Sequence, residues 1–119
     1  VSYSPYRSVR RKYGNSKVTI GGRTFDSKRE AERYLELRSL MKSGHIYELE
    51  CQKRFELIPK QTDSEGKCIE RKCEYIADFT YKTQSGEMVV EDAKGFRTPE
   101  YIIKRKLMLY VHGIRVREI

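Results

Sequence analysis

Asp78 interrupts an otherwise apolar, β-prone run, Tyr75-Ile76-Ala77-Asp78-Phe79-Thr80-Tyr81, and Asp92 and Lys94 close a second such run that begins at Met88. Side chains alternate faces along a strand, so Asp92 and Lys94 share one face and Glu91 takes the other. If the two runs pair as a hairpin, Asp78 lies close to Asp92. Two carboxylates at one sheet edge are hard oxygen ligands suited to Mg²⁺ or Mn²⁺. Such a cation polarises a phosphoryl oxygen and activates a bound water, while a neighbouring ammonium orients that water and offsets developing negative charge. Taken singly, each residue fits a surface ion pair equally well. It is the combination that points to chemistry.

Glu30 is a third carboxylate of interest. At helical spacing it falls within the stripe of Ala31, Tyr34, Leu37 and Met41, whereas Glu32 and Glu36 fall outside it. A carboxylate on a buried helix face needs a partner or a metal. Ser27-Lys28-Arg29-Glu30 also matches a capping box, in which Glu30 would serve the helix terminus. The sequence leaves both duties open.

Several elements must position these residues. Residues 18–25 surround Gly21-Gly22 and read as a hairpin. Residues 27–43 read as a helix ended by Gly44, with Ala31, Tyr34, Leu35, Leu37 and Met41 on its inner side. One or two strands are expected over 46–58, a polar turn over 59–67, and strands over 69–82 and 88–94. Thr98-Pro99 starts a second helix that runs to about Val111 and stops at Gly113, with Tyr101, Ile103, Leu107 and Tyr110 expected in the core. A short strand over 114–118 ends the chain. The expected class is α/β (α+β), a mixed sheet with flanking helices.

The 119 residues suit one domain over 18–119, preceded by a basic arm over 1–17. There are 25 Lys and Arg against 17 Asp and Glu, a formal net charge of +8. A basic domain attracts polyanions. In the arm, Arg7, Arg10, Arg11, Lys12 and Lys17 alternate with Tyr3, Tyr6 and Tyr13, a pattern suited to phosphates and bases. Lys104, Arg105 and Lys106 form a second basic run, first of all a solvated face and secondly a phosphate contact through Lys104. Three cysteines are an odd number for a disulfide framework, and no second ligand pair completes a zinc site. No run reaches the ~20 apolar residues of a membrane span and no leader pattern is visible, so a cytoplasmic setting is expected.

The Asp78 run, the run Val89-Val90-Glu91-Asp92-Ala93-Lys94-Gly95, and the upstream Phe25-Asp26-Ser27-Lys28-Arg29-Glu30 together resemble the PD-(D/E)XK nuclease superfamily. The likeness covers nearly everything from Lys17 onward. Its nearest forms are small phage and prophage endonucleases, TnsA-type transposition nuclease domains and phage junction resolvases of the endonuclease I type. Ala77 stands where the named motif has Pro, and Asp92 stands for Glu. The resemblance implies a restriction-endonuclease-like core in the order α-β-β-β-α-β, here preceded by the hairpin. It implies a Mg²⁺- or Mn²⁺-dependent DNA endonuclease, with Asp78, Asp92 and Glu30 on the metal and Lys94 catalytic. Gln52 resembles an accessory glutamine of such sites. The implied substrate is branched DNA such as a Holliday junction, cut by a homodimer in a phage-infected or lysogenic bacterial host. A nicking or flap nuclease, a subunit of a recombination or transposition complex, and a non-catalytic DNA-binding module are the alternatives.

Overall fold

The structure, a computed structural model, describes residues 17–94 and 96–119. Strands β1 (Val18–Ile20) and β2 (Arg23–Phe25) form the expected hairpin, with Gly21 and Gly22 at positive φ in its turn. Helix α1 (Lys28–Lys42) follows. Ser27 caps it, its Oγ accepting from Glu30 N at 3.1 Å. Strand β3 (Ile46–Ile58) is one long strand rather than two.

The segment expected to be a plain polar turn is partly ordered into a ribbon. Strand β4 (Gln61–Thr62) pairs with β5 (Cys68–Glu70), and Asp63 Oδ1 accepts from Glu65 N and Lys67 N at 2.9 Å each to shape the tip. Every residue from 58 to 72 is exposed. Strand β6 (Cys73–Thr83) returns antiparallel to β3, and β7 (Met88–Asp92) pairs antiparallel with β6. Helix α2 (Pro99–His112) then crosses over to β8 (Arg117–Glu118), which lies parallel to β7. Thr98 caps α2 through a 3.1 Å bond from Tyr101 N, and Gly113 ends it at φ 69. The final strand is only two residues long, shorter than the expected 114–118.

The sheet order is β3-β6-β7-β8. Alternate residues of β7 show where the helices lie. Val89 joins the cluster of Phe25, Ala31, Leu37, Phe79 and Tyr81 under α1, while Val90 joins that of Phe55, Tyr75, Ala77, Tyr101 and Met108 under α2. The helices therefore cover opposite faces. The α+β class and the element order match the expectation. Among the described residues, no helix is long and apolar enough to cross a membrane.

The odd-numbered residues of β6 change sides along the strand. Tyr75 and Ala77 pack under α2, but Phe79 and Tyr81 pack under α1. Strict alternation would keep all four on one face. The change of phase falls at Asp78, where the opposing strand β3 carries Gln52 at φ 58. A second irregularity in β3 lies between Tyr47 and Glu50, with Glu48 at φ 55.

Some expected core residues are not in the core. Leu35 and Met41 of α1 are exposed, as are Ile103 (59%) and Tyr110 (87%) of α2. Each helix meets the sheet with one face. Ala31 and Leu37 fill that contact on α1, and Tyr101 and Met108 fill it on α2, which leaves the flanking positions in solvent.

Candidate active site at the kinked end of the sheet

The β6–β7 register sets Phe79 opposite Glu91, so the next positions, Asp78 and Asp92, face one another where the pairing ends. Strand β7 stops at Asp92, two residues earlier than expected, and Lys94 sits on the following segment. It still reaches back, with Nζ 3.0 Å from Asp92 Oδ1. Its ammonium also lies 4.3 Å from the centroid of the Tyr101 ring, a cation–π distance. Arg29 of α1 donates to Lys94 O at 2.9 Å and to Ile119 O at 3.3 Å, tying the helix that carries Glu30 to the segment that carries Lys94.

Gln52 stands between two of the carboxylates. Its Nε2 donates to Glu30 Oε2 at 3.3 Å and to Asp78 Oδ1 at 3.4 Å. The left-handed backbone of Gln52 and the phase change at Asp78 thus serve one purpose: they turn both side chains toward the helix acid. Ala93 N donates to Asp78 Oδ2 at 2.8 Å.

Glu30 is 5% exposed. Its Oε1 accepts from Asp26 N at 3.3 Å, one residue before the cap, while Oε2 faces Gln52. It therefore serves the helix terminus with one oxygen and the site with the other. The capping-type bond falls on Asp26 N, one residue before the Ser27 backbone that a capping box uses.

The electrostatics are those of crowded negative charge. Burial, followed by the charges of Asp92 and Glu30, pushes the Asp78 carboxyl up to about 8, against the opposing pull of Ala93 N–H and Lys94. Burial also raises Glu30, with Asp26 and Asp92 adding to it and the Asp26 N–H bond opposing. Asp92 is 2% exposed, and Tyr75 donates its hydroxyl to Asp92 Oδ2. Asp92 Oδ1 accepts no hydrogen bond among the described residues: Lys94 is at ion-pair distance without hydrogen-bond geometry. A buried carboxylate oxygen of this kind, facing a second acid, fits a hard cation. The donors the geometry offers are Asp78 and Asp92. Among the described residues, no three His, Cys, Asp or Glu side chains converge as a ready metal cluster, and Glu30 is linked to Asp78 through two hydrogen bonds from Gln52 Nε2.

Beside this corner is a cleft of about 280 Å³ whose lining includes Tyr75, Asp92, Lys94, Tyr101 and Lys104. Lys104 is paired with Glu100 at 2.9 Å and remains at the cleft wall. Sequence reasoning missed Tyr75 and Tyr101 as site residues. Tyr101 reads as a core aromatic and Tyr75 as a strand residue, and only the pairing of distant segments sets the Tyr75 hydroxyl on Asp92 and the Tyr101 ring beside Lys94. Lys17 is exposed at the start of the described chain. Arg7, Arg10, Arg11 and Lys12 lie outside the described residues.

On the opposite face of β7, Glu91 is fully buried. Arg33 of α1 grips it with Nε to Oε1 at 2.8 Å and Nη2 to Oε2 at 2.7 Å, and Tyr81 donates its hydroxyl to Oε2. Arg33 and Glu30 lie one turn apart on α1, and Glu91 and Asp92 are neighbours on β7. This pair therefore fixes the helix acid relative to the strand acid.

The model of one family, Protein of unknown function (DUF1064), matches residues 10–117, so the chain belongs to that family. No curated protein and no solved structure matches it.

Proposed function

We propose that this DUF1064 member is a metal-dependent DNA endonuclease that hydrolyses phosphodiester bonds. The observation that carries the reading is the apposition of Asp78 and Asp92, with a buried Asp92 oxygen that accepts no hydrogen bond among the described residues and Lys94 Nζ 3.0 Å from it. Bound Mg²⁺ or Mn²⁺, held by Asp78 and Asp92, would supply Lewis-acid polarisation of the phosphate and acidify a water. Lys94, steadied by Asp92 and the Tyr101 ring, orients that water and offsets the charge that gathers on the phosphoryl oxygens. Gln52 and the Asp26 N–H keep Glu30 aimed at the same corner. Lys104 at the cleft wall gives a phosphate a second cation.

The reading extends to branched DNA, a homodimer and a bacterial cytoplasm. A net charge of +8 suits recognition through phosphates. Exposed Ile103 and Tyr110 on α2 offer apolar surface for a second copy. A second reading, DNA binding without cutting, is favoured by one observation: among the described residues, no three ligands converge.

Labelled four-way junction, flap and linear duplex DNA, incubated with Mg²⁺, Mn²⁺ or EDTA, test these readings beside Asp92→Asn. Paired junction cuts that need both metal and Asp92 are expected, with the variant at least ~100-fold slower. Cutting of flap or linear DNA without junction preference removes the resolvase reading. Salt-sensitive binding with no cutting under any metal leaves the binding module.

A further inference from the structure

A larger cleft of about 580 Å³ lies between α2 and β8, lined by Arg105, Lys106, Leu109, Arg115, Val116 and Glu118. Three cations share it with one carboxylate. That carboxylate is already committed. Glu118 accepts from Arg97 Nε at 2.8 Å, from Arg105 Nη1 at 2.9 Å and from the Tyr101 hydroxyl at 2.8 Å. The bond from Arg97 foremost, with those from Tyr101 and Arg105, holds Glu118 down at about 2, so it stays ionised and keeps Arg105 in place. Lys106 and Arg115 are exposed and have no ion-pair partner among the described residues, which leaves the cleft with uncompensated positive charge.

The cleft adjoins the candidate active site. The Tyr101 ring has Lys94 Nζ 4.3 Å from its centroid and Arg105 Cζ 5.9 Å from it, so one side chain touches a cation of each. Guanidinium forks match phosphate oxygens, and the apolar Leu109 and Val116 match the face of a sugar. A cationic wall with an apolar floor suits a sugar–phosphate unit better than a free carboxylate or a bare metal ion.

We infer that the cleft between the end of α2 and β8 binds a backbone phosphate of nucleic acid, through Lys106 and Arg115, on one side of the phosphate held beside Lys94. The inference deepens the nuclease reading and rests on it for the path of the strand, but phosphate capture by the cleft does not need cutting.

The test measures affinity for a labelled duplex oligonucleotide in EDTA across a salt series, for the whole chain, K106A/R115A, and the charge-matched control K28A/K42A, whose lysines are exposed on α1. Each phosphate contact contributes about 0.9 to the slope of log affinity on log salt. The cleft variant is expected to flatten the slope by about 1 to 2 and to weaken binding on the order of 10-fold, with the control nearer to the unaltered chain. An unchanged slope in K106A/R115A overturns the inference. So does an equal fall in K28A/K42A, which would mean a diffuse charge effect. Inorganic phosphate that shifts the Arg115 and Val116 NMR signals, but that DNA fails to displace, overturns the nucleic-acid source. A flattened slope in a protein that cuts no DNA sustains the cleft while removing the nuclease.

Discussion

Replacing Asp78 with Asn should make the metal-free protein more stable. Asn keeps an acceptor for Ala93 N–H but turns its NH2 toward Gln52 Nε2, so the short bond survives and only the long 3.4 Å one from Gln52 is lost. What it removes is a charge that burial, Asp92 and Glu30 all oppose. The carboxyl is displaced from 3.8 to about 8, which at about 1.4 kcal/mol per unit sets a ceiling of about 6 kcal/mol. Water reaches one side of this half-buried group, so roughly half or less is realised, about 2 to 3 kcal/mol. Between those two pH values the folded chain holds more proton than the unfolded one, so wild-type stability falls as pH rises. The variant lacks that loss. Its advantage should be absent below about pH 4, small at pH 5 and full above about pH 8. For a domain of this size the full effect is on the order of 10 °C in Tm. Thermal unfolding in EDTA at pH 5 and pH 8 reads it directly. Adding Mg²⁺ should then raise the Tm of the wild type and not of the variant. A variant that is less stable at pH 8, or equally favoured at both pH values, refutes the picture of crowded carboxylates.

Two further outcomes test the scaffold. Arg33→Ala strands Glu91 in the core, so urea unfolding should show a loss of about 3 kcal/mol, and an Arg33→Leu/Glu91→Leu double variant should recover part of it. Thr98→Ala removes the α2 cap bond to Tyr101 N and should cost about 1 kcal/mol in the same assay.

Much of the frame was legible because it rests on local rules. Ser27 and Thr98 are caps, Gly44 and Gly113 mark helix ends, and the Gly21-Gly22 hairpin follows from turn chemistry. The Asp78–Asp92 apposition was legible too, because hairpin register follows from the short turn between the strands. What lay beyond the sequence depends on distant segments. Nothing local says that Tyr75 will donate to Asp92, that Glu91 will be paired by Arg33, or that Gln52 will adopt a left-handed backbone. The helix faces were read too wide. Ile103 and Tyr110 fit the apolar spacing, but the sheet is narrow and α2 meets it through Tyr101 and Met108. The split duty of Glu30 could not be decided either, since capping and site geometry use the same side chain.

The kink at Gln52 has a bearing on solubility. Strand β3 is thirteen residues long and, among the described residues, forms one edge of the sheet. A straight strand of that length invites another chain to add itself and begin an aggregate. Here the left-handed residues Glu48 and Gln52 and the irregular register near Tyr47 break the edge into short pieces. Glu48, Glu50, Lys53, Arg54 and Glu56 add charge along it. The distortion that aims Gln52 at two carboxylates thus also denies neighbouring molecules a template. A substitution that straightened β3 would trade a misaligned glutamine for a chain prone to self-association.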